Sequence, residues 1–294
     1  MMSSKMPTLF EKMIVSGYTL VTTFHALGFF LLYKTKGELP NQRIITMNLA
    51  LVEMLYCLSQ ISFIVFDWTN AHFFIRGIIY GQVFLEVFIF CTIRLIILHL
   101  IIDRFLDVWL NLKYPVYINK KSLLITIAVL WFIGISLGLT LALYAHLDIK
   151  KFANCFRIIK ILHLALDITI IVTSLATHIY FFTKVKRITQ GTSNQRRRRS
   201  SSSINIWFKL KIPSLMVLTF IFFNTTSTIL KYIDYMYLAS AKIKMTFNIL
   251  DLCGWCSDAF IYILMQRRVR RLLFSMFRGV ERNQTTDISV PRNP

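Results

Sequence analysis

Asp103 and Arg104 stand side by side at the end of a long apolar run, just before a polar stretch that holds Lys113, Tyr114 and Pro115. A guanidinium at the mouth of an apolar helix has to reach water, a carboxylate or a partner protein. Other ionisable groups sit deeper in apolar runs: Glu53, Glu86, Arg94, Asp167, Asp251 and Asp258. A charge at mid-bilayer depth costs on the order of 2.5–3.5 kcal/mol on insertion scales, so each must be paired, protonated or turned toward a ligand or ion. The chemistry on offer is therefore charge pairing and its release. The chain shows no phosphate loop, hydrolytic triad or zinc-protease motif, so neither an enzymatic activity nor a cofactor is expected. Cys253 and Cys256 have a metal or redox spacing but lie inside an apolar run, where they read as two buried thiols.

Seven apolar blocks carry these residues, at about 13–33, 44–66, 78–102, 122–147, 158–183, 212–235 and 245–265. Roughly 20 residues of helix cross roughly 30 Å of hydrocarbon, so each block can span a membrane. The alternation of a membrane barrel is missing. The 294-residue chain is 55% hydrophobic, with a mean hydropathy of +0.58. The fold class expected is an all-α membrane protein, a seven-transmembrane helix bundle with its N-terminus outside. Residues 1–12 read as a short extracellular segment, too small for a ligand-binding ectodomain, and no cleavable signal precedes the first block.

The charge pattern sets the orientation. Lys and Arg concentrate in the segments 34–43, 104–121, 184–211 and 267–294, which lie on one side of the bundle. The positive-inside rule makes that side cytosolic. The net charge of +20 is largely this bias, so anionic membrane lipid is an expected partner and nucleic acid is not. In the longest loop, Arg196–Arg199 runs into Ser200–Ser203, which reads as headgroup contact with a candidate basic-directed kinase site beside it. After the seventh block, Val269, Leu272, Leu273, Met276 and Phe277 recur at helical spacing with arginines between them. They predict a short amphipathic helix over 266–277 on the inner membrane surface, followed by a cytoplasmic tail, 278–294.

Several local motifs, in order and at matching depths, carry a resemblance. Asn48-Leu49-Ala50-Leu51-Val52-Glu53 is similar to an Asn-Leu-Ala-x-x-Asp motif. Asp103-Arg104-Phe105 is similar to Asp-Arg-Tyr. Trp131 falls at the fourth-span tryptophan, and Asp258-Ala259-Phe260-Ile261-Tyr262 is similar to Asn-Pro-x-x-Tyr. Together they resemble the rhodopsin-like, or class A, G-protein-coupled receptors over roughly residues 13–277, as a divergent member. The resemblance implies a plasma-membrane receptor that binds a small extracellular ligand and activates a heterotrimeric G protein, with arrestin and a receptor kinase as further partners. It implies that Asp103, Arg104, Phe105 and Tyr262 form the coupling switch, with Arg104 paired to Asp103 at rest and freed on activation. It also implies that Glu53 and Asp258 occupy two positions that hold a sodium ion in many relatives.

Helix geometry extends these expectations. Glu86 lies eighteen residues before Arg104, five turns and about 27 Å along one face. If Arg104 faces the interior, so does Glu86, at the position where amine receptors carry an aspartate. With Gln82, Phe90, Asn224 and Asp251 it forms the candidate ligand pocket, suited to an amine or a basic peptide. The alternative is an internal pair of Glu86 with a lysine such as Lys231, or with His163. For Arg94, about 15 Å from Arg104, two readings stay open. It bridges to Glu53, Asp258 or Asp251 in place of sodium, or it pairs with Asp167 and leaves the sodium site intact.

The departures are specific. His25 stands where the family's first span has Asn, Phe220–Thr226 replaces the sixth-span switch motif, and the fifth span has no proline. The segment 74–81 has no cysteine to pair with Cys155, so the family's outer disulfide is not expected. The segment 184–211 has no acid to lock Arg104 from the sixth span, which predicts a soft resting state with basal activity. Leu252 occupies the retinal-lysine position, which disfavours an opsin. A transporter would show inverted repeats or broken helices, and none is visible. A non-signalling seven-span scaffold remains the rival reading.

Overall fold

The computed structural model describes residues 8–35, 40–68, 75–110, 113–147, 149–189, 214–237, 241–264 and 267–277. Among them all regular structure is helical. Helix α1, Leu9–Lys34, opens on a capping box: Thr8 Oγ1 accepts the Glu11 N–H and Glu11 accepts the Thr8 N–H at 2.8 Å. Helix α2, Pro40–Trp68, begins on a proline, whose missing N–H is no loss in a first turn. Helix α3, Ile75–Leu110, is followed by the single turn α4, Tyr114–Tyr117. Helix α5, Lys120–Leu147, starts where Asn119 Oδ1 accepts the Ser122 N–H at 2.8 Å. Helix α6 is Ile149–Thr189. Helix α7 covers 214–237 and contains a π-helical turn, Phe220–Thr225, before its last stretch, Thr226–Tyr237. Helices α8, Ala241–Leu264, and α9, Arg267–Phe277, complete the chain.

Among the described residues, six helices are long and apolar enough to cross a membrane: Leu9–Lys34, Asn41–Phe66, Tyr80–Leu110, Lys120–Tyr144, Arg157–Lys184 and Ser214–Asp234. The protein is a multi-pass helical membrane protein. Helix α8, with 24 residues, has the length of a span and carries Asp251 and Asp258 within it. Several helices outrun the hydrocarbon. The third was expected to span 78–102, yet α3 has 36 residues, about 54 Å of helix.

Helix α3 is the axis of the bundle. Of its apolar window 67% is buried, against 22% to 33% for the other five. It packs on α2, α5 and α6, while α1 leans on α2 and α8. The outward faces of the surrounding helices expose Phe132, Phe182, Leu218 and Phe222, a surface suited to lipid. The seam between α3 and α5 is set by two glycines four residues apart. A Cβ at Gly138 would lie 2.8 Å from the Phe84 carbonyl oxygen, and one at Gly134 would lie 3.1 Å from that of Phe88. Small residues at this spacing let two backbones approach closely.

Helix α9 turns Val269 inward, with Leu272 and Leu273 packed beside it on the core, and leaves Arg270 and Arg271 exposed. The π-helical turn of α7 covers the stretch where no switch motif is found. An extra residue in the turn shifts the backbone hydrogen bonds and supplies irregularity without a proline. The N-terminal residues before 8, Arg196–Arg199, the tail 278–294 and the side chains of Cys155, Tyr262, Met276 and Phe277 lie outside the described residues.

Candidate functional site

The ionisable side chains gather in three layers along α3. At one end, Gln82, Glu86, Phe90 and Arg94 recur every four residues, so helical geometry puts them on one stripe. Gln82 is exposed and Glu86 is partly buried. Lys160 of α6 donates to Glu86 Oε1 at 3.1 Å. The internal partner of Glu86 is thus a lysine, Lys160 rather than Lys231. Lys160 stands at the very start of the fifth apolar block, where no motif marks it. Lys231 of α7 instead donates to Asp251 of α8, and its ammonium lies 5.1 Å from the Phe90 ring and 5.6 Å from that of Phe247. Phe90 is the hub, with Tyr56 and His163 each 5.0 Å from its ring and Trp255 at 6.5 Å. Asn224, on the π-helical turn, is buried next to Gly254. Its amide atoms, Trp255 Nε1 and His163 Nε2 have no hydrogen-bond partner among the described residues.

One turn deeper, Arg94 resolves its open choice. Its Nε–H donates to Asp167 Oδ1 at 2.6 Å and its Nη2 to Asp167 Oδ2 at 3.2 Å, a two-pronged pair. Nη2 also donates to Thr228 Oγ1 at 3.1 Å. The guanidinium lies 5.0 Å from the Phe90 ring and 5.7 Å from that of Phe220. Three helices, α3, α6 and α7, are tied at this point. The planar fork of arginine suits such a bidentate pair, which an ammonium could not make.

Glu53 and Asp258 belong to a separate cluster. His25 Nδ1 of α1 lies 3.3 Å from Glu53 Oε2 of α2, and both side chains are fully buried. Thr219 of α7 donates to Asp258 Oδ1 of α8 at 3.0 Å. His25 completes the cluster from the position where the resemblance leads one to expect Asn.

At the far end, Arg104 is buried. Its Nε–H donates to Asp103 Oδ2 at 3.0 Å, and its Nη2 donates to the same oxygen. Its Nη1 donates to Asp107 Oδ2 at 3.4 Å. Asp107, three residues on along the same helix, supplies a second carboxylate. That spacing was readable, since residues three apart on a helix are neighbours. Tyr114 of α4 donates to the other oxygen of Asp103 and accepts from Asn41 Nδ2 at 2.9 Å. Burial, then the nearby Asp103 carboxylate, push the Tyr114 hydroxyl above its ordinary pKa and keep it a donor. Phe105 faces α6, 5.1 Å from the Tyr180 ring, with Trp109 stacked at 6.3 Å. Between α6 and α7, His178 Nε2 lies 2.7 Å from Ser214 Oγ, a cross-link that no motif announced.

Of the expected site residues, the structure brings together Glu86, Phe90 and Asp251 near one end of α3, and Asp103 with Arg104 at the other, while Asn224 lies next to Gly254. Arg94 is set apart from Glu53 and Asp258. Protein-family models and curated proteins alike give no match to this chain.

Proposed function

We propose that the chain is a rhodopsin-like G-protein-coupled receptor of the plasma membrane. In this reading α8 is the seventh span, the N-terminus and the Glu86 end face outward, and Arg104 faces the cytosol. The pairing of Asp251 with Lys231, and the hydrogen bond from Thr219 to Asp258, support α8 as a span, because they offset the burial of both acids. A small extracellular ligand enters at Glu86, and a heterotrimeric G protein docks at Arg104.

The observation that carries this reading is the state of Arg104. A guanidinium buried at the end of the central helix and held by Asp103 and Asp107 is a charge kept out of water by contacts that can be broken. A ligand shifts such a two-state element only through a difference in affinity for its two arrangements. The route from Glu86 to Arg104 runs down one helix, past the Arg94–Asp167–Thr228 junction that ties α3 to α6 and α7. Movement of α6 or α7 is thereby coupled to both ends.

The test is G-protein activation in cells at matched surface expression. Wild type gives basal signal above that of untransfected cells, and Arg104→Ala abolishes it. Wild-type receptor that is present at the surface but silent, and indistinguishable from Arg104→Ala, would overturn the receptor reading in favour of a non-signalling scaffold.

A further inference from the structure

We propose that the site at the Glu86 end takes a zwitterion, a small molecule with both an ammonium and a carboxylate, of which an α-amino acid is the simplest example. The inference rests on the receptor reading for its biological sense, but its physical basis is the charge balance of the site.

Four charges from four helices alternate in sign there: Lys160 of α6, Glu86 of α3, Lys231 of α7 and Asp251 of α8. Lys160 is paired with Glu86, Lys231 with Asp251, and Lys231 is also an electrostatic neighbour of Glu86. Side-chain exposures of 18% for Glu86, 11% for Lys160 and 17% for Lys231 leave these three in partial contact with solvent, so a ligand can reach them. The set is already balanced. A simple amine brought to Glu86 adds a positive charge beside Lys160 and Lys231. A simple carboxylate brought to Lys231 adds a negative one beside Asp251 and Glu86. In a partly buried site an uncompensated charge is heavily penalised. A zwitterion adds none: its ammonium takes Glu86, its carboxylate takes Lys231, and the alternation is extended by one pair. Below this layer, the Asn224 amide and the Trp255 N–H stand buried without partners among the described residues, and the Phe90, Tyr56 and Trp255 rings offer apolar walls. Those features suit a ligand with a polar head and an apolar side group.

Three compounds with the same ring isolate the charges: phenylalanine, phenethylamine and 3-phenylpropionate. Each is added at millimolar concentration to the purified full-length protein in lipid nanodiscs, and thermal unfolding is followed. Phenylalanine should raise the midpoint by about 2–4 °C or more at saturation, with an apparent affinity about 100-fold above either singly charged analogue. Charge variants then shift the preference in opposite directions. Glu86→Gln leaves Lys160 in want of an anion, so it favours 3-phenylpropionate. Lys231→Met leaves the acids in excess, so it favours phenethylamine. A purely structural role for these residues would weaken all three compounds together. Stabilisation by phenethylamine alone equal to that by phenylalanine, or no shift with any of the three, overturns the proposal. Failure of the receptor reading would instead show as wild-type protein that binds phenylalanine in nanodiscs yet never activates a G protein in cells.

Discussion

Removing one partner of the Arg94–Asp167 pair should destabilise the bundle more than removing both. Both side chains are almost wholly buried, at 1% and 0% exposure, and two hydrogen bonds of 2.6 and 3.2 Å join them. In Asp167→Leu the guanidinium keeps Thr228 and the faces of two aromatic rings but loses its only counter-charge among the described contacts. An uncompensated buried charge of this kind costs about 3–5 kcal/mol. At about 2 °C per kcal/mol for a chain of this size, the unfolding midpoint should fall by roughly 6–10 °C. The double variant Arg94→Leu with Asp167→Leu leaves no charge to compensate, and well-packed apolar replacements of buried pairs are commonly neutral or stabilising by about 1–4 kcal/mol. The double variant should therefore recover most of the loss. The assay is thermal unfolding of purified protein in nanodiscs, run as a full cycle with Arg94→Leu alone. A double variant less stable than either single one, or single variants no different from wild type, would refute the reasoning. Signalling gives an independent readout: the double variant should remain folded yet lose the coupling between ligand and G protein, since the junction of α3, α6 and α7 no longer has its directional contact.

At the α3–α5 seam, Gly138→Val should lower the unfolding midpoint by several degrees, because even its Cβ would sit 2.8 Å from a backbone oxygen that can retreat only if the helices part; Gly81→Val, where a Cβ meets nothing, should lower it far less in the same thermal assay. Asp107→Asn should raise basal G-protein activation by a few-fold, because the contact it weakens, at 3.4 Å and charge-assisted, is worth about 1 kcal/mol to the resting state. Unchanged basal signal in that variant would mean that Asp103 alone holds Arg104.

The Arg104 layer shows how far local spacing carries. Asp103, Arg104 and Asp107 are three residues of one helix; the contact of Arg104 with Asp107 follows from the 3.6-residue turn, and Asp103 is simply its neighbour in the chain. The apolar blocks, the stripe from Glu86 through Phe90 to Arg94, and the arginine-bearing face of α9 are legible for the same reason. Each depends only on residues a few places apart. The close approach at Gly134 and Gly138 was equally present in the sequence, but a glycine pair does not say which helix it faces. The partner choices were less accessible still. Asp167, Glu53, Asp251 and Asp258 were all acids in apolar blocks, and nothing local ranks them as partners for Arg94.

What the sequence determined by itself is the set of helices, the inventory of buried charges and the face of α3 on which they lie. Which charge meets which was decided only by tertiary structure. A pair between helices depends on the rotation of each about its axis and on its depth relative to its neighbours. The packing of α5 and α6 on α3 and the π-helical turn in α7 set those quantities together. That is why Lys160 reaches Glu86, Asp167 reaches Arg94, and His25 closes on Glu53.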